Sequence, residues 1–167
     1  MNDDTLAPLR ALAADFKAGL PVLAVRTGDW ASLRDDAAPV RVRVFVHEQG
    51  IPAEMEWDQD DATALHVVVA SRAGVPVATG RLLRGGPGIA KIGRVAVHEA
   101  LRGAGVGRLV MRTLMDAARD RGDREVVLHA QRSAEAFYRD LGFIPRGEPF
   151  DEVGIPHIEM AAPLRAG

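Results

Sequence analysis

The sequence predicts a mixed α/β domain, a β-sheet with helices on its faces. Three observations carry that prediction. Short runs rich in β-branched residues alternate with stretches whose apolar residues recur every three or four positions. Glycine- and proline-containing turns separate the two kinds of segment. The order is a strand, a helix, three strands, a helix, a strand, a helix and two strands, which suits a mixed sheet and shows no internal repeat.

Taken in order, Leu6, Leu9, Leu12, Phe16 and Leu20 mark one amphipathic helix stopped by Gly19 and Pro21. Residues 1–20 are therefore read as a helical extension and 21–167 as the main domain. Val22 to Arg26 is the first strand. Helix is expected from Trp30 to about Gln49, interrupted or restarted at Pro39, with Val42, Phe45 and Val46 facing inward. The acidic stretch Glu54 to Asp61 reads as a loop, either solvated or attractive to a cation. Leu65 to Ser71 and Pro76 to Leu83 form a hairpin, and Gly85 to Gly88 a loop. Ala90 to Val97 is a strand that runs into a glycine-rich segment and a helix to Arg121. That helix carries Val106, Val110, Leu114 and Ala117 on one stripe, with Arg112 and Asp116 exposed at i,i+4 spacing. Glu125 to Ala130 is a strand, Ser133 to Leu141 a helix capped by Gly142, and 143–150 with 157–164 a closing strand pair.

Composition removes several function classes. At 167 residues, 47% hydrophobic and 26% charged, the chain has the size and make-up of one globular domain. A formal charge of −2 argues against general binding to nucleic acid or an anionic membrane. With no cysteine, disulfides, thiolate–zinc sites and a Cys nucleophile are excluded. The five histidines lack metal-site spacing, so no metal is expected. The opening Met1-Asn2-Asp3-Asp4 lacks the positive charge of a signal peptide, and no apolar run approaches the roughly 20 residues that span a bilayer. A cytoplasmic protein is expected.

The segment Arg102-Gly103-Ala104-Gly105-Val106-Gly107 follows a strand and opens a helix. Glycines let backbone approach a ligand, and the unpaired N–H groups of a helix start, with Arg102 and Arg108 beside them, suit a pyrophosphate. A Walker A loop would need Lys-Ser/Thr after its last glycine, where this chain has Arg108-Leu109. A Rossmann fingerprint would need glycine at position 108.

Downstream, Ser133-Ala134-Glu135-Ala136-Phe137-Tyr138-Arg139-Asp140-Leu141-Gly142-Phe143 places a tyrosine near a helix end before Leu-Gly-Phe. This block resembles the second signature segment of the GNAT superfamily. Arg102, Gly105 and Gly107 match that family's Q/R-x-x-G-x-G/A loop. Residues 44–49 (Val-Phe-Val-His-Glu-Gln), Asp58, Asp61, His66, 93–97 (Gly-Arg-Val-Ala-Val) and 154–160 further resemble its ElaA-like branch. The resemblance covers roughly residues 20–164.

That resemblance implies the GNAT acyl-CoA N-acyltransferase fold: a mostly antiparallel central sheet with one splayed strand pair and flanking helices. It implies acetyl-CoA as co-substrate, and transfer of acetyl to a primary amine of a small molecule, peptide or protein by direct attack in a ternary complex. It places the cofactor on Val95, Ala96, Val97, Arg102, Gly103, Ala104, Gly105, Val106, Gly107, Arg108, Gln131 and Phe137. The backbone of Val95 and Val97 is expected to hold the pantetheine arm and polarise the thioester carbonyl. Where the family often has Asn, seven residues before its Tyr, this chain has Gln131. Tyr138 is the candidate general acid. Glu48, His66 and His157 are candidate bases, and a water relay is an alternative to all three. The competing functions are a non-catalytic acyl-CoA-binding regulatory module and an acyl-homoserine lactone synthase. A homodimer contact would use the N-terminal helix or the last hairpin.

Overall fold

The computed structural model describes residues 3–165, with side chains from Leu6 onward; Met1 and Asn2 of the expected opening lie outside the described residues. Among these the strand order is β1-β2-β3-β4-β5-β7-β6 in one seven-stranded sheet. The strands are β1 (Leu23–Gly28), β2 (Leu65–Ser71), β3 (Pro76–Gly86), β4 (Ile89–Val97), β5 (Glu125–Gln131), β6 (Ile144–Glu152) and β7 (Ile155–Pro163). The helices are α1 (Asp3–Lys17), α2 (Trp30–Arg41), α3 (Ala53–Glu56), α4 (Val106–Asp120) and α5 (Glu135–Asp140). The expected mixed α/β architecture is present.

Contacts divide the chain into two compact units, Met1–Arg81 with Arg94–Arg112, and Leu82–Gly93 with Thr113–Gly167. In the first, β1 pairs antiparallel with β2 from Leu23↔Ser71 to Gly28↔His66. Val67, Val68 and Val69 are fully buried, and Leu33 and Ala37 of α2 pack on Val68 with Trp30 beside them. Asp29 caps α2 by accepting from the Ser32 N–H at 2.9 Å. α1 packs against the 3-10 turn Glu99–Leu101. Leu6, Leu9, Leu12 and Phe16 are half-buried there, while Leu20 lies beyond the helix and is exposed.

In the second unit β5 pairs parallel with β4 at Ile89↔Glu125, Ala90↔Val126 and Lys91↔Val127. Both strands continue past those rungs. On its other side β5 pairs antiparallel with β7 along its whole length, from Glu125↔Pro163 to Gln131↔His157. β6 closes the order against β7, with a register shift between Arg146 and Phe150 where Gly147 has φ +79°. The β6–β7 turn is Val153-Gly154, both left-handed, a pairing that matches the twist of a tight hairpin. Phe143, Val126, Leu128, Ile158 and Met160 form the core of this unit.

Several local expectations are corrected. α2 runs through Pro39 without restarting and then widens into a π-helical segment, Val42–Glu48, in which Gln49 N–H bonds Val44 O. That extra residue per turn rotates the inward face, so Val44 and Phe45 are buried while Val42 and Val46 are only half-buried. β3 extends to Gly86, leaving Pro87-Gly88 alone as the turn. In α4 the deep positions are Val106, Val110, Met111, Leu114 and Ala118 in place of Ala117, while Arg112 and Asp116 are exposed as expected and Asp116 pairs with Arg119.

The largest correction concerns Glu54 to Asp61, which is solvated only in part, at the exposed Glu54, Asp58 and Asp60. It holds α3 and a 3-10 turn, Gln59–Ala62, and its Glu56 and Asp61 are 2% and 3% exposed. Their charges are met within the chain, so they are closed to an incoming cation.

Candidate active site

The glycine segment takes the form that an anion cradle requires. Gly103 and Gly105 have φ of +78° and +97°, a region that costs a residue with a Cβ about 1–2 kcal/mol. Gly107 lies in the first turn of α4 and needs no such freedom. The first helical bond there runs from Leu109 N–H to Gly105 O at 3.1 Å. The amides of Val106, Gly107 and Arg108 therefore precede the ladder and have no intrahelical acceptor. Gly103, Gly105 and Arg108 are exposed, Ala104 and Gly107 half-buried, and Val106 is the buried anchor of the helix start. Amides at a positive helix end with an exposed arginine fit a pyrophosphate. Phe16 of α1 lies beside this cradle, 3.8 Å from where a Cβ on Gly105 would stand.

Arg102 is placed differently from Arg108. Its two terminal nitrogens each donate to a Glu48 carboxylate oxygen at 2.6 Å, and its Nε and Nη2 reach Val97 O at 3.2 and 3.1 Å. Glu48, Val97 and Arg102, three residues expected in the site, are thus joined in one cluster. The guanidinium is committed to a carboxylate and to the last carbonyl of β4, and the hydrogen bonds it donates to Glu48 raise its pKa further above the usual arginine range.

Upstream in β4, Arg94 has φ +50° inside an otherwise extended strand. Such a residue turns the chain as a β-bulge does and is uncommon for a long side chain. Ala96 is buried and Val95 and Val97 are half-buried. Arg94 also belongs to a closed ring of alternating charge. Its Nη2 donates to Asp58 at 3.2 Å; Arg81 donates to Asp58 at 2.6 and 2.8 Å and to Asp61 at 2.8 Å. Arg41 donates to Asp61 at 2.8 and 3.2 Å and to Glu56 at 2.5 Å, and Glu56 returns to Arg94 at 3.5 Å. The Arg41 guanidinium packs on both Trp30 and Trp57, 5.0 and 4.9 Å from their ring centroids, and the two rings also touch each other at 6.0 Å.

The ring separates its carboxyls. Burial pushes Glu56 up, and Arg41 offsets this only in part. Burial pushes Asp61 up too, but hydrogen bonds and charge from Arg41 and Arg81 leave it below the usual range. His66 packs on Trp30 at 4.8 Å, and its Nε2 donates to Asp61 O at 2.9 Å. It is 1% exposed, and burial lowers its pKa, so it is a neutral packing group.

In the second unit Tyr138 sits on α5 with edge contacts to Phe137 and Phe143, centroids 4.9 and 5.9 Å away. Both Phe137 and Tyr138 are half-buried, and burial pushes the phenol up to about 12. Among the described residues no group hydrogen-bonds the Tyr138 hydroxyl. Gln131, at the end of β5, is the rung partner of His157 and carries a side-chain amide within the structured strand end. His157 is 5% exposed; its Nδ1 donates to Ile155 O at 2.6 Å, and its Nε2 faces Glu152 Oε2 at 3.6 Å. Phe150 stacks on His157, and His129 reaches the same Glu152 at 3.1 Å. Glu152 and His129 were missed in the sequence, as was Arg94. The one available signal was strand alternation, which puts His129, Phe150 and His157 on neighbouring strands without fixing the register.

The site residues thus fall into two sets, each ordered within its own unit. The family model for the acetyltransferase (GNAT) domain matches residues 33–164. The uncharacterized N-acetyltransferase YjcF of Bacillus subtilis is 40% identical over 126 residues, 75% of this chain and 89% of that protein. Protein ElaA of Escherichia coli is 40% identical over 126 residues, 73% of this chain and 82% of ElaA. The crystal structure of E. coli ElaA superposes with a TM-score of 0.75 at 33% identity, over 84% of this chain and 99% of that one. An acyl-CoA N-acyltransferase from Pseudomonas aeruginosa gives a TM-score of 0.74 at 34% identity, with the same coverage of 84% and 99%. With the family matched over most of its length and ElaA similar in both sequence and structure, the chain belongs to the GNAT acetyltransferases.

Proposed function

We propose that this chain transfers acetyl from acetyl-coenzyme A to a primary amine, by direct attack within a ternary complex. The observation that carries the reading is the cradle at the start of α4, with left-handed Gly103 and Gly105 followed by amides outside the helical ladder. Acetyl-coenzyme A, when bound, supplies the thioester and a pyrophosphate. In this reading the amides of Val106, Gly107 and Arg108 and the Arg108 side chain take the pyrophosphate. Arg102 fastens the end of β4 through Val97 O and is balanced by Glu48. Backbone groups of Val95 and Val97 line the pantetheine arm, Ala96 anchors that stretch in the core, and Gln131 and Phe137 complete the cofactor contacts.

The chemistry forms a C–N bond and breaks a C–S bond, with one proton leaving the amine and one joining the sulfur. We assign the first proton to His157. Its Nδ1–H is fixed on Ile155 O, which leaves Nε2 as the basic position, with Glu152 beside it to stabilise the charged ring. We assign the second to Tyr138, whose hydroxyl no described residue engages and whose high pKa keeps it protonated at any working pH. In this reading residues 1–20 are an extension to a catalytic domain of 21–167.

Calorimetric titration with coenzyme A, followed by thiol release from acetyl-coenzyme A across a panel of amines, tests the reading. Saturable binding lost in Gly105→Asp, and release stimulated by at least one amine, are expected. Binding with no release across small amines, peptide N-termini and lysine peptides would favour a regulatory module.

A further inference from the structure

We infer that Arg94 and Asp58 are positioning residues for acyl transfer: their ion pair holds residue 94 left-handed, and that conformation aims the Val95 N–H at the thioester carbonyl. The inference rests on the proposed acetyl-coenzyme A chemistry and deepens it.

A strand normally directs successive N–H groups into its ladders. A residue at φ +50° rotates the peptide that follows it, so the Val95 N–H leaves the direction that an extended strand would give it. An arginine has no intrinsic reason to adopt this conformation. Glycine would take it without strain, and asparagine or aspartate with little. The sequence places glycine one residue earlier, at Gly93, so the left-handed turn falls on the long side chain.

What compensates is at the other end of that side chain. Arg94 Nη2 donates to Asp58 Oδ2 at 3.2 Å and its Nε to Glu56 O at 3.3 Å, with Glu56 Oε1 at 3.5 Å. Asp58 is itself immobilised by Arg81, which grips both its oxygens at 2.6 and 2.8 Å. The guanidinium is therefore tied to a rigid ring, and the backbone it belongs to is held with it. Strained backbone persists where its surroundings over-determine it, and such strain gathers at functional positions.

This arrangement separates two roles that a simple deletion would confuse. If the side chain serves only to hold the backbone, Arg94→Gly replaces it, because glycine reaches φ +50° unaided. If its charge matters in itself, glycine fails as alanine does. The readout is the infrared carbonyl band of [1-13C]acetyl-coenzyme A bound to the full chain, with affinity by calorimetry and folding by thermal melting.

In wild type the bound band should lie below that of free acetyl-coenzyme A. In Arg94→Ala and Asp58→Asn it should return toward the free position while affinity changes by less than about threefold. Arg94→Gly should restore the low band, and kcat with an accepted amine should follow the same order, falling about tenfold in Arg94→Ala. A wild-type band in Arg94→Ala, or a free-like band in folded Arg94→Gly, overturns the inference. Should Arg94→Ala not fold, the Asp58→Asn and Arg94→Gly bands decide it alone. If wild type binds no acetyl-coenzyme A at all, the functional reading itself has failed and this inference falls with it.

Discussion

Arg102 and Glu48 form a two-pronged ion pair, both bonds 2.6 Å long, and Arg102 carries the Val97 carbonyl on the same guanidinium. The geometry removes Glu48 from the role of general base, since both of its oxygens accept from a permanently charged group. Side chains in this pair are 44% and 31% exposed, and exposed pairs contribute roughly 0.2–1 kcal/mol. Glu48→Gln is therefore expected to weaken acetyl-coenzyme A binding by no more than about fivefold and to leave the acidic limb of the kcat/KM profile in place. A lost limb would return Glu48 to the role of base.

His157 gives the contrasting expectation. With Nδ1–H fixed on Ile155 O, Nε2 is the ring nitrogen left to take the amine proton. His157→Gln should lower kcat/KM about a hundredfold, well beyond any change in coenzyme A affinity. Glu152→Gln removes a negative charge 3.6 Å from Nε2, which disfavours the imidazolium formed as the amine is deprotonated, and should lower kcat about tenfold. An unchanged kcat in either variant contradicts the assignment.

The parts of the site that sequence revealed were those written in local spacing. Gly103 and Gly105, the start of α4, and Tyr138 ahead of Leu141-Gly142-Phe143 are each set within a few residues of one another. The ring of Arg41, Glu56, Asp58, Asp61, Arg81 and Arg94 was not legible, because its arginines lie 15 to 38 residues from the carboxylates they meet. Seen alone, the acidic run looked solvated. Left-handed Arg94 was hidden for another reason: the residue type argues against that conformation, and only the distant Asp58 compensates. The π turn after Arg41 was likewise invisible, since Val42, Val44, Phe45 and Val46 suit either helical winding.

Tyr138 is the chain's only tyrosine, so its titration and its removal can be followed cleanly. Its phenol, pushed up to about 12 by burial, stays protonated through the working range. Tyr138→Phe should reduce kcat by roughly 10²–10³ while coenzyme A affinity changes little, because the ring contacts to Phe137 and Phe143 survive. Absorbance near 295 nm should show no ionisation below about pH 11, given ordinary behaviour of a group titrating one unit higher. A basic limb in kcat near pH 9 would then belong to some other group.

Gly105→Ala isolates backbone from bulk. A Cβ there would stand 3.8 Å from Phe16 Cε1, an ordinary contact, so the cost lies in φ +97° alone. Stability should fall by about 1 kcal/mol. Coenzyme A binding should fall further than stability does, because relaxing the left-handed turn re-aims the amides of Val106 and Gly107. Equal affinity in the two proteins would remove the cradle from the binding site.

The charged ring makes opposite demands on pH and on mutation. Hydrogen bonds from Arg81, acting against partial burial and helped by the charges of Arg81, Arg94 and Arg41, hold Asp58 down to about 2. A carboxyl whose folded value is depressed stabilises the fold above its unfolded value, near 4, and that contribution is lost as pH falls through about 2. With Asp58 about a third exposed, solvent screening leaves roughly 1 kcal/mol, so wild type should lose that much more stability than Asp58→Asn between pH 5 and pH 2. Arg41 is a harsher test. It is 1% exposed, packed on two tryptophans, and is the direct partner of both Glu56 and Asp61. Arg41→Ala leaves two buried carboxylates without it and should cost about 3–5 kcal/mol at pH 7 by denaturant melting. The loss should shrink in mild acid, where Glu56, already raised by burial, protonates first. A deficit that grows as pH falls from 7 to 5 would show that the stranded carboxylates are not its source.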